Sequence, residues 1–268
     1  RSSDLSIYVL LDTIMLGFLA NDKAVGYYSM ALKISKVPMI FVGALGLVLI
    51  PQLSLSFHQN DIERFKLLIS KSINFVITFS FPVIFFILGI SDELIRAFAG
   101  EQFLGAAITL KILSILVLLI GLSNIFGLQI LTPMSKDKYL TFSVILGTGV
   151  SLCLNYILIP FYQEIGAAIT NIITEVVVTG ATLYFASKFI SIEFDYFFIL
   201  KSLFYSIPIY FFPILWSYLI SNYLLILIIT SVISGIYFII VQLYIIKNQI
   251  IVELKNKLIQ KIWPNTII

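Results

Sequence analysis
Charge is what this 268-residue chain has least of: Asp, Glu, Lys and Arg together make up 12% of it. Soluble domains carry about twice that share, so an ordinary water-facing globule is excluded. Cysteine occurs once, as Cys153 inside an apolar run. No internal disulfide is possible, and the thiol reads as a small packing residue. Histidine also occurs once. His58 lies in a polar connection with no second His, no Cys and no carboxylate pair at ligand or acid/base spacing, and it reads as a solvated loop residue. GxSxG, HExxH and P-loop patterns are missing, and no soluble stretch is large enough to hold a nucleotide. That argues against a self-contained primary pump, and no catalytic residue, metal or cofactor is expected. A membrane-embedded transferase with its catalytic groups in loops stays open. The net charge of +3 is modest, and its lysines sit at the ends of apolar runs, which fits topology and not a nucleic-acid partner. The opening RSSDLSIYVLLD has no Met, basic n-region or cleavage site; it reads as an internal start without a signal peptide.

What the chain has in abundance is apolar sequence in long blocks. Hydrophobic residues make up 60% and the mean hydropathy is +1.05, which defines an all-α, polytopic transmembrane helix bundle. Eight spans are expected: Leu5 to Leu19, Gly26 to Phe57, Ile73 to Ile90, Ala106 to Leu131, Tyr139 to Ile159, Gly166 to Phe185, Ile199 to Ile220 and Leu224 to Ile246. The second exceeds the roughly 20 residues a bilayer needs. Pro82 sits mid-span in the third and predicts a kink. HQNDIERFKLLISK reads as an amphipathic, charged connection before that span, and SDELIRAFAGEQF as a polar loop or a short interfacial helix after it. From Lys247 onward, basic and apolar residues alternate at helical spacing, as in a helix lying on a membrane surface.

The connections alternate in charge. The second (Arg64, Lys66, Lys71), fourth (Lys136, Lys138), sixth (Lys188, Lys201) and the tail (Lys247, Lys255, Lys257, Lys261) hold most of the basic residues, and the others hold little beyond Lys23 and Arg96. By the positive-inside rule both termini of the chain are expected in the cytoplasm.

Several spans carry polar residues on one face. At about 100° per residue, Ser29, Lys33, Lys36, Ile40 and Gly43 fall on one narrow stripe. A charge at the bilayer centre costs at least about 2.5 kcal/mol, so that stripe is expected to face protein or a water-filled cavity. Lys111 and Gln129 are eighteen residues apart, five whole turns, and so share a face at opposite ends of one helix. Asn171, Thr174, Glu175 and Thr182 cluster on another span, Ser70, Asn74 and Thr78 recur at i, i+4, and Asp12 interrupts the first span. Ionisable residues inside a membrane are candidates for function, whereas Ser, Thr and Asn serve as well as glue between helices. Asp12, Lys111 and Glu175 can equally snorkel to, or pair at, an interface.

These residues resemble a family. IYVLLDTIMLGFLANDKAVGYYSMALKI followed by VLIPQLS looks like the start of the second half of the polysaccharide transporters, the O-antigen and lipid-linked oligosaccharide flippases of the multidrug/oligosaccharidyl-lipid/polysaccharide flippase superfamily. The residues that carry the pattern are Asp12, Met15-Leu16-Gly17, Val25-Gly26-Tyr27-Tyr28, Ala31, Lys33 and Pro51-Gln52-Leu53-Ser54. A later EIGAAITNIITE is similar to a GAAIAT-type helix of the same family. The resemblance implies that residues 1–190 form the second six-helix lobe, 191–247 two additional transmembrane helices and 248–268 a cytoplasmic amphipathic tail. It further implies a flippase of the bacterial cytoplasmic (inner) membrane that carries polyprenyl-diphosphate-linked oligosaccharide by alternating access. Its partners would be that lipid-linked substrate, membrane lipids and the polysaccharide polymerase machinery. The implied substrate contacts are Lys33 and Lys36 first, then Lys111, with Gln129 and Asn171 as further lining. Asp12 and Glu175 would balance the lysines or couple a cation. Two other readings remain open. An integral-membrane polymerase or acyltransferase would need a sizeable outer loop with catalytic Arg, His or Asp, and an exporter of cationic compounds would favour acidic and aromatic lining over paired lysines.

Overall fold
A computed structural model describes residues 4–246; the amphipathic tail expected from Lys247 onward lies outside the described residues. Among these, every regular element is helical. Helix α1 is Asp4–Leu19, α2 Asp22–His58, α3 Ile62–Ala99, α4 Ala106–Leu113, α5 Leu116–Asn124, α6 Asp137–Ser187, α7 Tyr196–Ser217 and α8 Tyr223–Ile240. α5 and α8 run on as π-helical turns, Ile125–Leu131 and Val241–Ile246.

Six helical segments are long and apolar enough to cross a membrane, and a shorter apolar run, Leu10–Leu19, lies in α1. The 51-residue α6 is two crossings. At Gln163 the backbone leaves helical geometry (φ 48, ψ −126), and the chain turns back on itself. A Cβ at Gly147 would collide with the Val178 side chain, and one at Gly166 would meet the Leu158 carbonyl at 2.6 Å. Residues equally far before and after Gln163 therefore lie side by side. Legs 137–162 and 164–187 are antiparallel, and Gly166 is needed where their backbones close up. Eight membrane segments result, as the apolar blocks predict.

The turns fall at two ends. At one, Asn21 donates to Gln163 at 3.3 Å, the Tyr27 ring packs on Phe103, and the Tyr27 hydroxyl donates to the Gln102 carbonyl. At the other, Phe57 meets Phe65 and the Lys136 ammonium lies 4.9 Å from the Phe189 ring centre. The second end carries Arg64, Lys66, Lys71, Lys136, Lys138, Lys188 and Lys201, so the alternation of charge along the chain is an alternation in space. We refer to it as the basic end.

Helix ends follow local chemistry. The Asn21 side chain accepts from the Ala24 N–H, Asp61 from Arg64, Asp195 from Phe198 and Asn222 from Leu224, each satisfying an orphan donor of a first turn. Asn60 at φ 57 reverses the chain between α2 and α3, a conformation Asn tolerates better than most residues. The apolar core has two parts. One gathers Leu16, Tyr28, Ala31, Leu110, Ala167 and Ala168; the other, toward the basic end, gathers Val42, Leu53, Phe65, Val76, Ile125 and Phe126. Small residues at the contacts let backbones approach where lipid supplies no hydrophobic drive.

Three expectations need correction. α3 continues through both stretches read as polar connections, spanning Ile62–Ala99. Between Ile62 and Ala99 nothing breaks the helix, and a span extends past the hydrocarbon when its ends reach water. Gly100, at φ 86, stops it. The segment Ala106–Leu131 is not one regular helix: it loosens at Ser114-Ile115 and becomes π-helical at Ile125. Five whole turns therefore do not connect Lys111 to Gln129, and the two do not share a face; Lys111 is half exposed and Gln129 buried. Cys153 is exposed on the outer side of α6 and does not pack in the core.

Candidate functional site
α2 divides sharply into two faces. Ala24, Tyr28, Ala31, Leu32, Ser35, Val42, Gly46 and Leu53 are buried, spaced by threes, fours and sevens, as one side of a helix. Opposite them Lys33, Lys36, Val37, Ile40, Phe41, Leu47 and Val48 are exposed, and nothing lies within 4 Å of where a Cβ on Gly43 would stand. Lys33 and Lys36 sit eleven and fourteen residues into α2, about 16 and 21 Å from its start. With 37 residues, α2 exceeds the roughly 20 that a bilayer needs, and both lysines lie about three to four turns inside it.

Behind α2 lies a buried polar hub centred on Asp12, which is fully shielded from solvent. Its Oδ2 accepts from the Tyr28 hydroxyl at 2.9 Å and from Asn171 Nδ2 at 2.8 Å. Its Oδ1 accepts from Ser151 Oγ at 3.0 Å and from Asn155 Nδ2. Asn171 also donates to the Tyr28 oxygen at 2.9 Å, and Asn155 to Ser151 at 3.2 Å. One carboxylate thus ties together α1, α2 and both legs of α6. The hairpin explains the convergence: Asn155 and Asn171 are each eight residues from Gln163, so the turn brings them to the same depth. The buried Oδ1 atoms of Asn155 and Asn171 have no hydrogen-bond donor among the described residues. Each Asp12 oxygen accepts from two neutral donors, so the carboxylate is held as a hydrogen-bonded clamp between helices.

The other candidate residues fall elsewhere. Glu175 is buried one turn beyond Asn171 on the second leg of α6, beside buried Thr174. Thr182 bonds carbonyls of its own helix, and Thr179 donates to the Leu119 carbonyl of α5. Lys111 pairs with Asp92 at 3.2 Å near the less basic end, away from Lys33 and Lys36. Gln129 is buried against Gly46 of α2. Ser70 is exposed and Thr78 buried, so their i, i+4 series runs from the exposed end of α3 into its packed part. His58 is the exposed last residue of α2. Ser151 and Asn155 were missed at the sequence level. Their signal is an i, i+4 polar pair within an apolar span, matched in depth to Asn171 across the turn.

Eight crossing segments, an inward polar hub and a lysine-bearing face left uncovered define a polytopic helical membrane protein of multi-pass type. Residues 5–108 match the family described as polysaccharide biosynthesis protein, a range that contains both Asp12–Gly17 and Val25–Lys33. The chain is similar to the "Probable low-salt glycan biosynthesis flippase Agl15" of Haloferax volcanii, 28% identical over 189 residues that make up 70% of this chain and 40% of the relative. It is similar also to a "Putative O-antigen transporter" of Escherichia coli K12, 29% identical over 184 residues, 69% of this chain and 44% of the relative. The chain therefore spans less than half the length of these curated relatives. Among solved structures, lipid II flippase MurJ in an inward closed conformation matches with a TM-score of 0.78 over 92% of this chain and 52% of that one, at 17% identity. That likeness concerns the fold. The resemblance to the polysaccharide transporters read from the motifs holds.

Proposed function
We propose that the chain forms the second lobe, with two further helices, of a flippase that moves a lipid-linked glycan across the bacterial cytoplasmic membrane, with the basic end in the cytoplasm. The observation that carries this reading is the exposure of Lys33 and Lys36 on an uncovered face of α2, within its apolar length. Ammonium groups there are too costly to leave against lipid, so the face borders a wet cavity or another part of the same protein. Relatives named as a flippase and an O-antigen transporter, of which the match covers only 40% and 44%, supply the sequence for a second wall. Lysine serves such a cavity as a mobile point charge for the diphosphate of the carrier lipid. Asp12 meets neutral donors, on the side of α2 opposite the lysines. Its neutral partners and its place behind α2 argue against direct charge balance with the lysines, and ion coupling is the role to be tested.

The test is complementation of a flippase-null strain by the full-length gene carrying Lys33→Ala and Lys36→Ala together, with expression controlled. Loss of surface glycan with lipid-linked units accumulating inside is expected. Full activity in the double variant would reduce the lysines to helix anchors. Failure of the unmutated gene, tried with the strain's own substrate and several others, would favour the polymerase, acyltransferase or exporter readings.

A further inference from the structure
At one corner of the basic end, five aromatic rings form a continuous cluster. Tyr139 lies 4.9 Å from Phe185 and 5.5 Å from Phe189 between ring centres, Phe142 stands edge-on to Phe185, and Tyr184 adjoins Phe185. Three lysines from two different connections lie over these rings. Lys136 is 4.9 Å from the Phe189 centre, Lys138 5.1 Å from Tyr139, and Lys188 4.2 Å from Tyr184 and 5.7 Å from Phe185. An ammonium held over a ring face keeps N–H donors pointing outward, and these need acceptors. No carboxylate of the described residues pairs with the three: Arg96–Glu101 and Lys111–Asp92 lie at the opposite end, and Asp137, between two of the lysines, accepts from Thr132 Oγ1 at 2.8 Å.

The cluster also has a fixed depth. Along the outer side of the first α6 leg, Phe142, Ile145, Leu152, Tyr156, Ile157, Phe161 and Tyr162 are exposed. The twenty residues from Phe142 to Tyr162 measure about 30 Å, the thickness of the hydrocarbon, with aromatic residues at both boundaries as membrane belts have. The three ammonium groups therefore stand at headgroup level, directly beside a lipid-facing wall.

We propose that Lys136, Lys138 and Lys188, held on the aromatic cluster of Tyr139, Tyr184, Phe185 and Phe189, form a binding site for the phosphate of an anionic phospholipid in the leaflet at the basic end. Attraction of about fivefold per lysine near a surface is ordinary. Three fixed on rings in one corner are expected to select anionic over zwitterionic lipid at that spot.

The test uses the full-length protein, purified, with binding of short-chain phosphatidylglycerol and phosphatidylcholine measured by native mass spectrometry and titration. Lys136→Gln/Lys138→Gln/Lys188→Gln is expected to weaken phosphatidylglycerol at least tenfold with phosphatidylcholine unchanged. The corresponding Arg variant is expected to keep the preference. A control, Arg64→Gln/Lys66→Gln/Lys71→Gln, removes equal charge at the same end outside this aromatic cluster, and is expected to lose less than threefold. Equal loss in both triples, or none in the first, would overturn the proposal. So would displacement of the lipid by inorganic pyrophosphate at equal concentration, which would mark a diphosphate entry site. If the Gln triple fails to fold, single Lys188→Gln serves, with a loss of at least threefold expected and an unchanged preference counting against the site.

Discussion

Replacing Asp12 tests the hub most directly, because its four partners are known and all are buried. Asp12→Leu removes the acceptor for Tyr28, Asn171, Ser151 and Asn155 together. Two bonds survive among the partners, Asn171 to Tyr28 and Asn155 to Ser151, so about two donors are stranded. At about 1–3 kcal/mol for each buried donor left unmet, with membrane hydrogen bonds toward the low end, the loss is about 2–4 kcal/mol. Asp12→Asn keeps one acceptor. Asn171, whose Oδ1 lacks a donor, can turn its amide to meet the new N–H, so the cost falls to about 1 kcal/mol. Unfolding of the full-length protein in bicelles by steric trapping gives these free energies, and the order wild type, Asn, Leu is expected. A Leu variant as stable as wild type would refute the clamp. Transport by the Asn variant then separates the roles: near-native stability with transport abolished points to coupling, and transport retained points to a purely structural carboxylate.

The turn at Gln163 has a backbone that glycine adopts more readily. Gln163→Gly is expected to hold or raise stability by up to about 1 kcal/mol, the lost bond to Asn21 offsetting part of the gain, whereas Gln163→Val should cost about 2 kcal/mol; thermal unfolding in detergent reads both. A Cβ on Gly89 of α3 would stand 2.6 Å from the Tyr210 carbonyl and 2.8 Å from Pro213 of α7. Gly89→Ala should therefore cost about 1–3 kcal/mol, while Gly17→Ala, with nothing within 4 Å, should be neutral in the same assay. Lys111→Ala breaks a half-exposed pair with Asp92 and should cost under about 1 kcal/mol. Complementation is expected to be retained; its loss at normal stability would return Lys111 to the substrate path.

Hydropathy alone located every crossing, because a membrane helix must be apolar for its full length whatever it packs against. Periodicity also found the lysine stripe of α2, since both residues lie on one unbroken helix. It failed for Lys111 and Gln129, where the turn loosened at Ser114-Ile115 has no proline or glycine to announce it and the π-helical turn from Ile125 contains only Gly127, which by itself does not predict a π-turn. The hub was half legible. Asp12 and Asn171 stand out as polar residues in apolar spans, yet their meeting depends on a hairpin whose turn residue is an ordinary Gln. The extent of α3 was obscured for another reason: hydropathy marks where lipid ends, whereas the helix stops where a backbone can no longer continue it, at Gly100.

The Asp12 clamp also orders biogenesis. Of the described helices α1 is synthesised first, but its carboxylate waits for Ser151, Asn155 and Asn171, 139 to 159 residues further along the chain. Until the first leg of α6 has entered the membrane, Asp12 has Tyr28 alone, and Asn171 joins only with the second leg. At about 5–20 residues per second, that interval lasts roughly 7 to 30 seconds, during which a poorly satisfied carboxylate must remain near the insertion machinery or close to water. α1 is thus the earliest helix to be made and among the last to be secured, and a stalled ribosome anywhere before Asn171 would leave behind an intermediate that membrane quality control can recognise by that one unsatisfied acid.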